Sequence, residues 1–132
     1  MIHPNAAPRP EVVVDFSVED GLLNVILKNI GASSAYRVRT AFDKPFHGLG
    51  GDKCISAMRL FREVPFMPPD KEFCQYVDLL ASFAKRKEPL RLKASVYYLD
   101  RDGNRYQETM AHDLRIYLEL GRARIVKPKG GD

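Results

Sequence analysis

The stretch Glu11–Asn29, EVVVDFSVEDGLLNVILKN, decides the fold class of this chain. Apolar side chains occupy every second position from Val12 to Val18, which is the period of a half-buried β-strand. Gly21 follows in a turn where a positive φ is needed, and glycine tolerates it without strain. The alternation then resumes from Leu23 to Leu27. The stretch therefore predicts an antiparallel β-hairpin.

The same alternation recurs along the remaining chain. The segment 64–70 contains three prolines, so we expect it to be extended without being a central strand. Asp102-Gly103 predicts a type I′ turn between the last two strands. The predicted strands are 11–18, 23–28, 35–42, 54–61, 72–77, 91–98 and 106–114, and the alternation leaves open an extension of the last strand to Leu120 with a bend near Asp113.

The segment Asp78–Lys87 is the one helical candidate. Asp78 is a suitable N-cap, and Leu79, Leu80 and Phe83 have helical spacing. The basic run at 85–87 lies where a helix dipole favours cations, and Pro89 ends the segment. We therefore predict at most one short helix, near 78–87.

These elements fit one domain in a chain of 132 residues. About seven strands with turn signals roughly every ten residues are typical of an all-β, antiparallel two-sheet sandwich. We place this domain at 11–120. The proline-rich residues 1–10 are interpreted as an extended leader, and 121–132 as a basic, flexible tail.

Two motifs support this architecture. The first runs from Val25 through Asn29 and Gly31 to the segment Ala35–Val38, and it resembles the V-x-N-x-G … A-x-x-V signature of bacterial immunoglobulin-like modules, including the CARDB class (cell-adhesion-related domain in bacteria). The segment 66–72 is similar to the L-x-P-G-E segment of those modules, with Asp70 where glycine is usual. The resemblance implies that the domain 11–120 is an immunoglobulin-like antiparallel β-sandwich, and it says little about function.

The roles of Asn29 and Gly31 can also be interpreted from their residue types alone, without the resemblance to a family. Both residue types tolerate left-handed backbone conformations, and an asparagine amide can bond the backbone of its own turn. We therefore interpret both as folding residues. Cys54 and Cys74 lie in separate predicted strands, which leaves two buried free thiols or a disulfide open.

The chain shows no motif for catalysis, a metal or a cofactor. Asp100-Arg101-Asp102-Gly103 lacks the glutamate that completes a calcium loop, and no CxxC pair is present. Ser, His and Asp occur without a nucleophile-elbow motif. The glycine-rich loop 48–53 lacks the spacing of a phosphate loop. We therefore expect a protein that is not an enzyme and that carries no cofactor.

Charge points to a binding role. The chain has 21 basic and 17 acidic residues, and the tail supplies +3 of the net charge of +4. On the third predicted strand, Arg37 and Arg39 face outward while Tyr36 and Val38 face inward. Our leading hypothesis is recognition of another protein, with Arg37 and Arg39 at the contact.

The alternative is binding to nucleic acid or an anionic surface. It would use Lys85, Arg86 and Lys87 together with Arg122 and Arg124 of the tail. An inward Tyr36 provides no stacking surface for bases, which weighs against this alternative. The chain has no apolar run near 18 residues and no apolar N-terminal core, so we expect no membrane span and favour the cytoplasm over a trimmed envelope domain.

Overall fold

The computed structural model describes residues 8–120 and confirms an all-β chain. The strands are β1 (Val12–Glu19), β2 (Leu22–Asn29), β3 (Ala35–Phe42), β4 (His47–Gly48), β5 (Lys53–Cys54), β6 (Val64–Met67), β7 (Glu72–Leu79), β8 (Arg91–Leu99) and β9 (Arg105–Asp113). The α-helices are α1 (Arg59–Arg62), α2 (Leu80–Lys85) and α3 (Arg115–Glu119). Short 3₁₀ turns cover Leu49–Gly51 and Ile55–Ala57.

The strands form two larger antiparallel sheets. One has three strands in the order β1-β2-β7, and the other has four in the order β6-β3-β8-β9. β4 and β5 make a small separate ribbon. The first sheet begins with the hairpin predicted from Glu11–Asn29, in which Val14 pairs with Leu27.

Inward side chains from both larger sheets form one hydrophobic core. The alternating positions of β1, β2 and β8 supply much of it, as their period of two predicts. The largest side chains with almost no exposed surface are Phe16, Phe46, Phe61, Phe83, Leu23, Leu27, Ile55, Met67, Leu92 and Leu114.

Aromatic rings anchor the segment between β3 and β6 to that core. The ring of Phe42 lies edge-to-face with Phe46 at 5.0 Å and with Phe61 at 4.9 Å between ring centroids. Phe46 also meets Phe83 of α2 at 6.3 Å. Edge-to-face pairs of this kind add to the stabilisation from burial.

The predicted strand 54–61 is wrong, because apart from Cys54 this segment forms a 3₁₀ turn and α1.

The helix predictions also need correction. β7 extends to Leu79, so the predicted helix near 78–87 is confined to Leu80–Lys85, and Asp78 is a strand residue. The described residues contain two further α-helices, α1 and α3. α3 takes the place of the extension that the alternation left open beyond Asp113, because β8 begins at Arg91, which pairs with Asp113, and offers no partner further along.

Two turns differ from expectation in their backbone. At the β8–β9 hairpin Gly103 has a φ of 83° but Asp102 does not have a positive φ, so the turn is not type I′. The Gly103 N–H donates to the Asp100 carbonyl at 3.1 Å, which is typical of a type I turn followed by a glycine bulge. Asn29 and Gly31 have no positive φ either. Gly31 is needed for space, because a Cβ there would lie 2.6 Å from the Arg9 carbonyl oxygen.

β3 contains a bulge at Arg37 that changes the faces of its residues. The register shifts between Tyr36 and Arg39, and Arg37 has a φ of 52°. The extra residue turns Tyr36 outward, whereas Ala35 and Val38 are buried. The predicted inward position of Tyr36 is therefore wrong, and with it the argument against a stacking surface.

Two further findings bear on the sequence predictions. Cys54 is half-buried, Cys74 is exposed, and both thiols are free. No helix within residues 8–120 has the length and apolar character needed to cross a membrane. The tail 121–132, with Arg122 and Arg124, lies outside the described residues, and only residues 8–10 of the leader are described.

Candidate recognition face

The outward face of the four-stranded sheet carries the predicted residues Arg37 and Arg39. Both side chains are exposed. The bulge aims Arg37 outward beside Tyr36, while Arg39 continues the outward alternation of β3. The structure thus brings both predicted arginines to one face, which we call the basic–aromatic face.

Aromatic rings lie between these arginines and the sheet edges. The Tyr36 ring packs against Phe66 of β6 with 5.3 Å between ring centroids, and Phe66 is 48% exposed. The guanidinium carbon of Arg39 lies 6.0 Å from the centroid of Tyr97 on β8. This distance is at the outer limit of a cation–π contact, so the interaction orients the arginine and leaves its donors available.

An open groove of about 500 Å³ occupies one end of this face. Its polar lining comes from Arg37 and Arg39 of β3 and from Arg105 and Gln107 of β9, with Tyr97 between the two strands. None of the described residues that line it is a carboxylate. The closest ion pair involves Arg37, whose Nε lies 3.8 Å from Glu63 Oε1 in an exposed, weak contact. The groove is therefore an electropositive site.

A second basic group lies at the opposite end of β8. Lys44, Arg91 and Lys93 line a cavity of about 190 Å³ together with Asp43. The guanidinium of Arg115 binds Asp113 and, with a contribution from Arg91, lowers the pKa of this neighbouring carboxyl to about 2. Asp113 is thus ionised and largely paired. This end is basic as well, although less so than the groove.

Small side chains separate the two basic groups. The outward positions in the middle rows are Ala41 on β3, Ser95 on β8, and Thr109 and Ala111 on β9. Ser95 Oγ and Thr109 Oγ1 lie 2.9 Å apart and hydrogen-bond to each other. The outward strand positions at the centre of the face are consequently low and uncharged, and Arg62 of α1 lines a cavity of about 300 Å³ beside Ala41.

The predicted basic run at 85–87 does not form one surface. Lys85 and Lys87 are exposed, but the Arg86 side chain turns into the fold. Its Nη1 donates to Asp78 Oδ2 at 2.7 Å, and its Nη2 donates to the His47 carbonyl at 3.1 Å. Arg86 therefore joins β4 to β7, and its role as a partner contact stays a prediction.

Sequence reasoning missed Tyr97, Arg105 and Gln107. The turn after Asp100 fixes the hairpin register, so that Leu99 pairs with Arg105 and Tyr97 with Gln107. The turn predicts that register, but nothing in the sequence predicts that β3 pairs with β8. Within residues 8–120 the His, Cys, Asp and Glu side chains nowhere form a group of three that could hold a metal ion.

Comparison with known proteins gives a family and no named function. No curated protein and no solved structure matches the chain. The family model described as a domain of unknown function, DUF8453, matches residues 3–118. Because that match spans most of the sequence, the chain belongs to the DUF8453 family.

Proposed function

We propose that this protein is a non-catalytic recognition module with an immunoglobulin-like β-sandwich fold, and that its groove binds an acidic segment of a partner protein. The observation that carries the proposal is the set of three arginines, Arg37, Arg39 and Arg105, lining one open groove with no carboxylate among its described lining residues. Arg37 makes only a weak, exposed contact with Glu63, and guanidinium groups around an aromatic ring favour planar carboxylates.

The strand order supports the fold part of the proposal. In the lettering of immunoglobulin domains, the order β1-β2-β7 corresponds to A-B-E, and β6-β3-β8-β9 corresponds to C′-C-F-G. On this assignment the basic–aromatic face is the outer surface of the sheet that contains strands C, F and G. A rigid sheet holds the arginines in fixed relative positions, which lowers the entropy cost of binding.

The residue types on the face support the functional part. Arginine and tyrosine are enriched among residues that dominate protein–protein binding energies. Arg39 and Tyr97 already contact each other at 6.0 Å, so the arginine loses less freedom when a partner binds. The exposed ring of Phe66 adds an apolar margin beside Tyr36.

The test is binding of a fluorescently labelled glutamate-rich peptide, followed by anisotropy. We expect the double variant Arg39→Gln/Arg105→Gln to bind at least tenfold more weakly than the native chain, with the melting temperature unchanged because both side chains are exposed. The matched control, Lys53→Gln/Lys71→Gln, removes the same charge from exposed positions elsewhere. Equal affinities of the two double variants would refute the groove as the site.

Binding to single-stranded nucleic acid is the second candidate, and the outward position of Tyr36 favours it. Tyr36, Phe66 and Tyr97 place three rings on the face that also carries the arginines. Bases stack on such rings with about 1–3 kcal/mol each. A labelled oligothymidine that binds more tightly than the acidic peptide, and that loses affinity in Tyr97→Leu, would replace the first candidate by the second.

A further inference from the structure

We infer that the acidic ligand is an extended chain that lies along β8 and contacts both basic groups at once. The inference rests on the proposed function, which places an acidic segment in the groove. It adds a second contact site, made by Lys44, Arg91 and Lys93, and it specifies the spacing of negative charges that the ligand must carry.

The two sites lie on one strand. The groove surrounds Tyr97 and Leu99 near the end of β8, and the second cavity surrounds Arg91 and Lys93 at its beginning. Eight residue steps separate Arg91 from Leu99. At about 3.3 Å per step, the two ends are about 26 Å apart.

The surface between the sites permits a chain to lie flat. Its outward residues are Ala41, Ser95 and Thr109, and the two hydroxyls bond to each other. No long or charged side chain stands between the groove and Lys93 on the described part of β8. An extended peptide has nearly the same rise per residue as β8, so two acidic groups about eight residues apart match the two sites.

The carboxylates near the second site do not neutralise its positive charge. Asp113 is bound by Arg115 through Nη2 at 2.7 Å. Asp43 accepts the Lys93 backbone N–H at 2.8 Å, which occupies part of its acceptor capacity. The Lys44 ammonium donates to the Arg91 carbonyl at 3.0 Å and keeps two further donors free. The three cations of the second site therefore outnumber its two carboxylates, each of which already accepts at least one hydrogen bond.

Two sites on one rigid surface make the spacing of charges decisive. Once the first acidic group is bound, the second binds in an intramolecular step whose effective concentration depends on the connecting length. A ligand that reaches both sites gains affinity without any new type of contact, whereas one that is too short gains nothing.

The experiment compares two labelled peptides of identical composition and charge on the full chain. The wide peptide, EEGSGSGSEE, places its glutamate pairs about eight residues apart. The close peptide, EEEEGSGSGS, places them about two residues apart, which is too close to span even the four steps from Lys93 to Tyr97. We expect the wide peptide to bind at least tenfold more tightly. In Lys44→Gln/Lys93→Gln this advantage should disappear while the affinity of the close peptide is retained.

The outcomes separate this inference from the proposed function. If both peptides bind equally well and both lose affinity in Arg39→Gln/Arg105→Gln, the groove is a binding site and the two-site inference is wrong. If neither peptide binds, the proposed function is wrong, and the inference that rests on it is wrong as well. Preference for oligothymidine over the wide peptide would assign the same two sites to nucleic acid and would also overturn the inference. Lys53→Gln/Lys71→Gln again serves as the control, because it removes the same charge from exposed residues outside both sites.

Discussion

Asn29 is a buried amide in which every hydrogen-bonding position is used. Its Oδ1 accepts the backbone N–H groups of Glu11 and Gly31, and its Nδ2 donates to the carbonyls of Ser33 and Met67. These bonds join β1, the β2–β3 turn and the end of β6. The interpretation of Asn29 as a folding residue agrees with these contacts, and the long-range bond to Met67 lies beyond what its turn alone suggested.

We expect Asn29→Leu to destabilise the fold by about 3 kcal/mol or more, because it leaves several backbone groups without partners in a site that has no exposed surface. Asn24→Leu, on the half-buried outer side of the same strand, is the control and should change stability by less than about 0.5 kcal/mol. Urea unfolding of both variants measures the difference. If Asn29→Leu loses less stability than Asn24→Leu, the hydrogen bonds of Asn29 do not stabilise the fold.

Arg37 is a strained residue at the site of proposed binding. Its φ of 52° lies in the left-handed region, which costs a non-glycine residue about 1–2 kcal/mol. Its side chain is exposed, so burial does not offset this cost. Strain of this kind persists at functional sites because the side chain is needed there.

We expect Arg37→Gly to stabilise the fold by about 0.5–1 kcal/mol and to weaken binding of the acidic peptide. Arg39→Gly, one residue beyond the bulge, should also weaken binding but should destabilise the fold by about 0.5–1 kcal/mol, because glycine in a regular strand costs entropy. Thermal unfolding shows directly whether each variant is more or less stable than the native chain. The same sign for both variants would contradict strain at Arg37.

At the scale of elements, sequence alternation predicted those strands that have a regular partner along their whole length. β1, β2 and β8 follow their pattern because each pairs continuously with a neighbour. The bulge in β3 was not predictable, since Arg37 shows nothing unusual in sequence and the shift arises from pairing with β6 and β8. For the same reason the face that Tyr36 shares with Tyr97 was visible only in the structure.

The segment after β9 shows why alternation alone misleads. Leu114, Ile116, Leu118 and Leu120 alternate, but only Leu114 is buried, and Tyr117 packs against the core at helical spacing from it. A strand needs a neighbour, and β8 ends its pairing at Arg91. The chain therefore forms a helix, which satisfies its backbone without a partner strand.

A partly buried ion pair joins β7 to Arg86, the residue that follows α2. The side chain of Asp78 is 10% exposed and that of Arg86 is 25% exposed. Burial raises the pKa of Asp78, but the hydrogen bonds from the Gly50 N–H and the Arg86 guanidinium outweigh it and hold the pKa below its ordinary value of 3.8. The ionised carboxylate is therefore the form that stabilises the fold.

We expect Asp78→Asn to cost about 2 kcal/mol at neutral pH. The native carboxylate contributes its full stabilisation above the unfolded-state pKa of 3.8 and loses it as the pH falls through the lower folded-state pKa. The stability difference between native and variant should hence be constant above pH 5 and shrink below 3.8. Urea unfolding from pH 3 to 7 tests this. A difference that grows towards acid would contradict the sign of the pKa shift.

At the scale of the whole molecule, side chains close the gap between the two sheets on one side. The Val14 N–H donates to Met110 Sδ at 3.3 Å, and the Val14 carbonyl lies 2.9 Å from His112 Nε2. The edge of β1 is thereby occupied by side chains of β9, which protects it from pairing with another chain. The basic–aromatic face on the outer side of the other sheet stays exposed for the binding that we propose.

We expect the basic tail and the basic–aromatic face to make separable contributions to the proposed binding. Among residues 8–120 the hydrophobic core extends from Val12 to Leu114, and both cation groups of the face lie within residues 37–105. The tail 121–132 carries +3 of the net charge, so it influences a polyanion mainly through long-range attraction, which salt screens over about 8 Å at physiological ionic strength.

We therefore expect a chain ending at Leu120 to unfold at the same urea concentration as the full chain and to bind the wide acidic peptide within a factor of two at 0.15 M salt. At low salt the full chain should bind several times more tightly, because the attraction of the tail is then unscreened. Titrations at both salt concentrations measure this. If truncation abolishes binding at 0.15 M salt while Arg39→Gln/Arg105→Gln leaves it intact, recognition belongs to the tail, as the anionic-surface alternative requires.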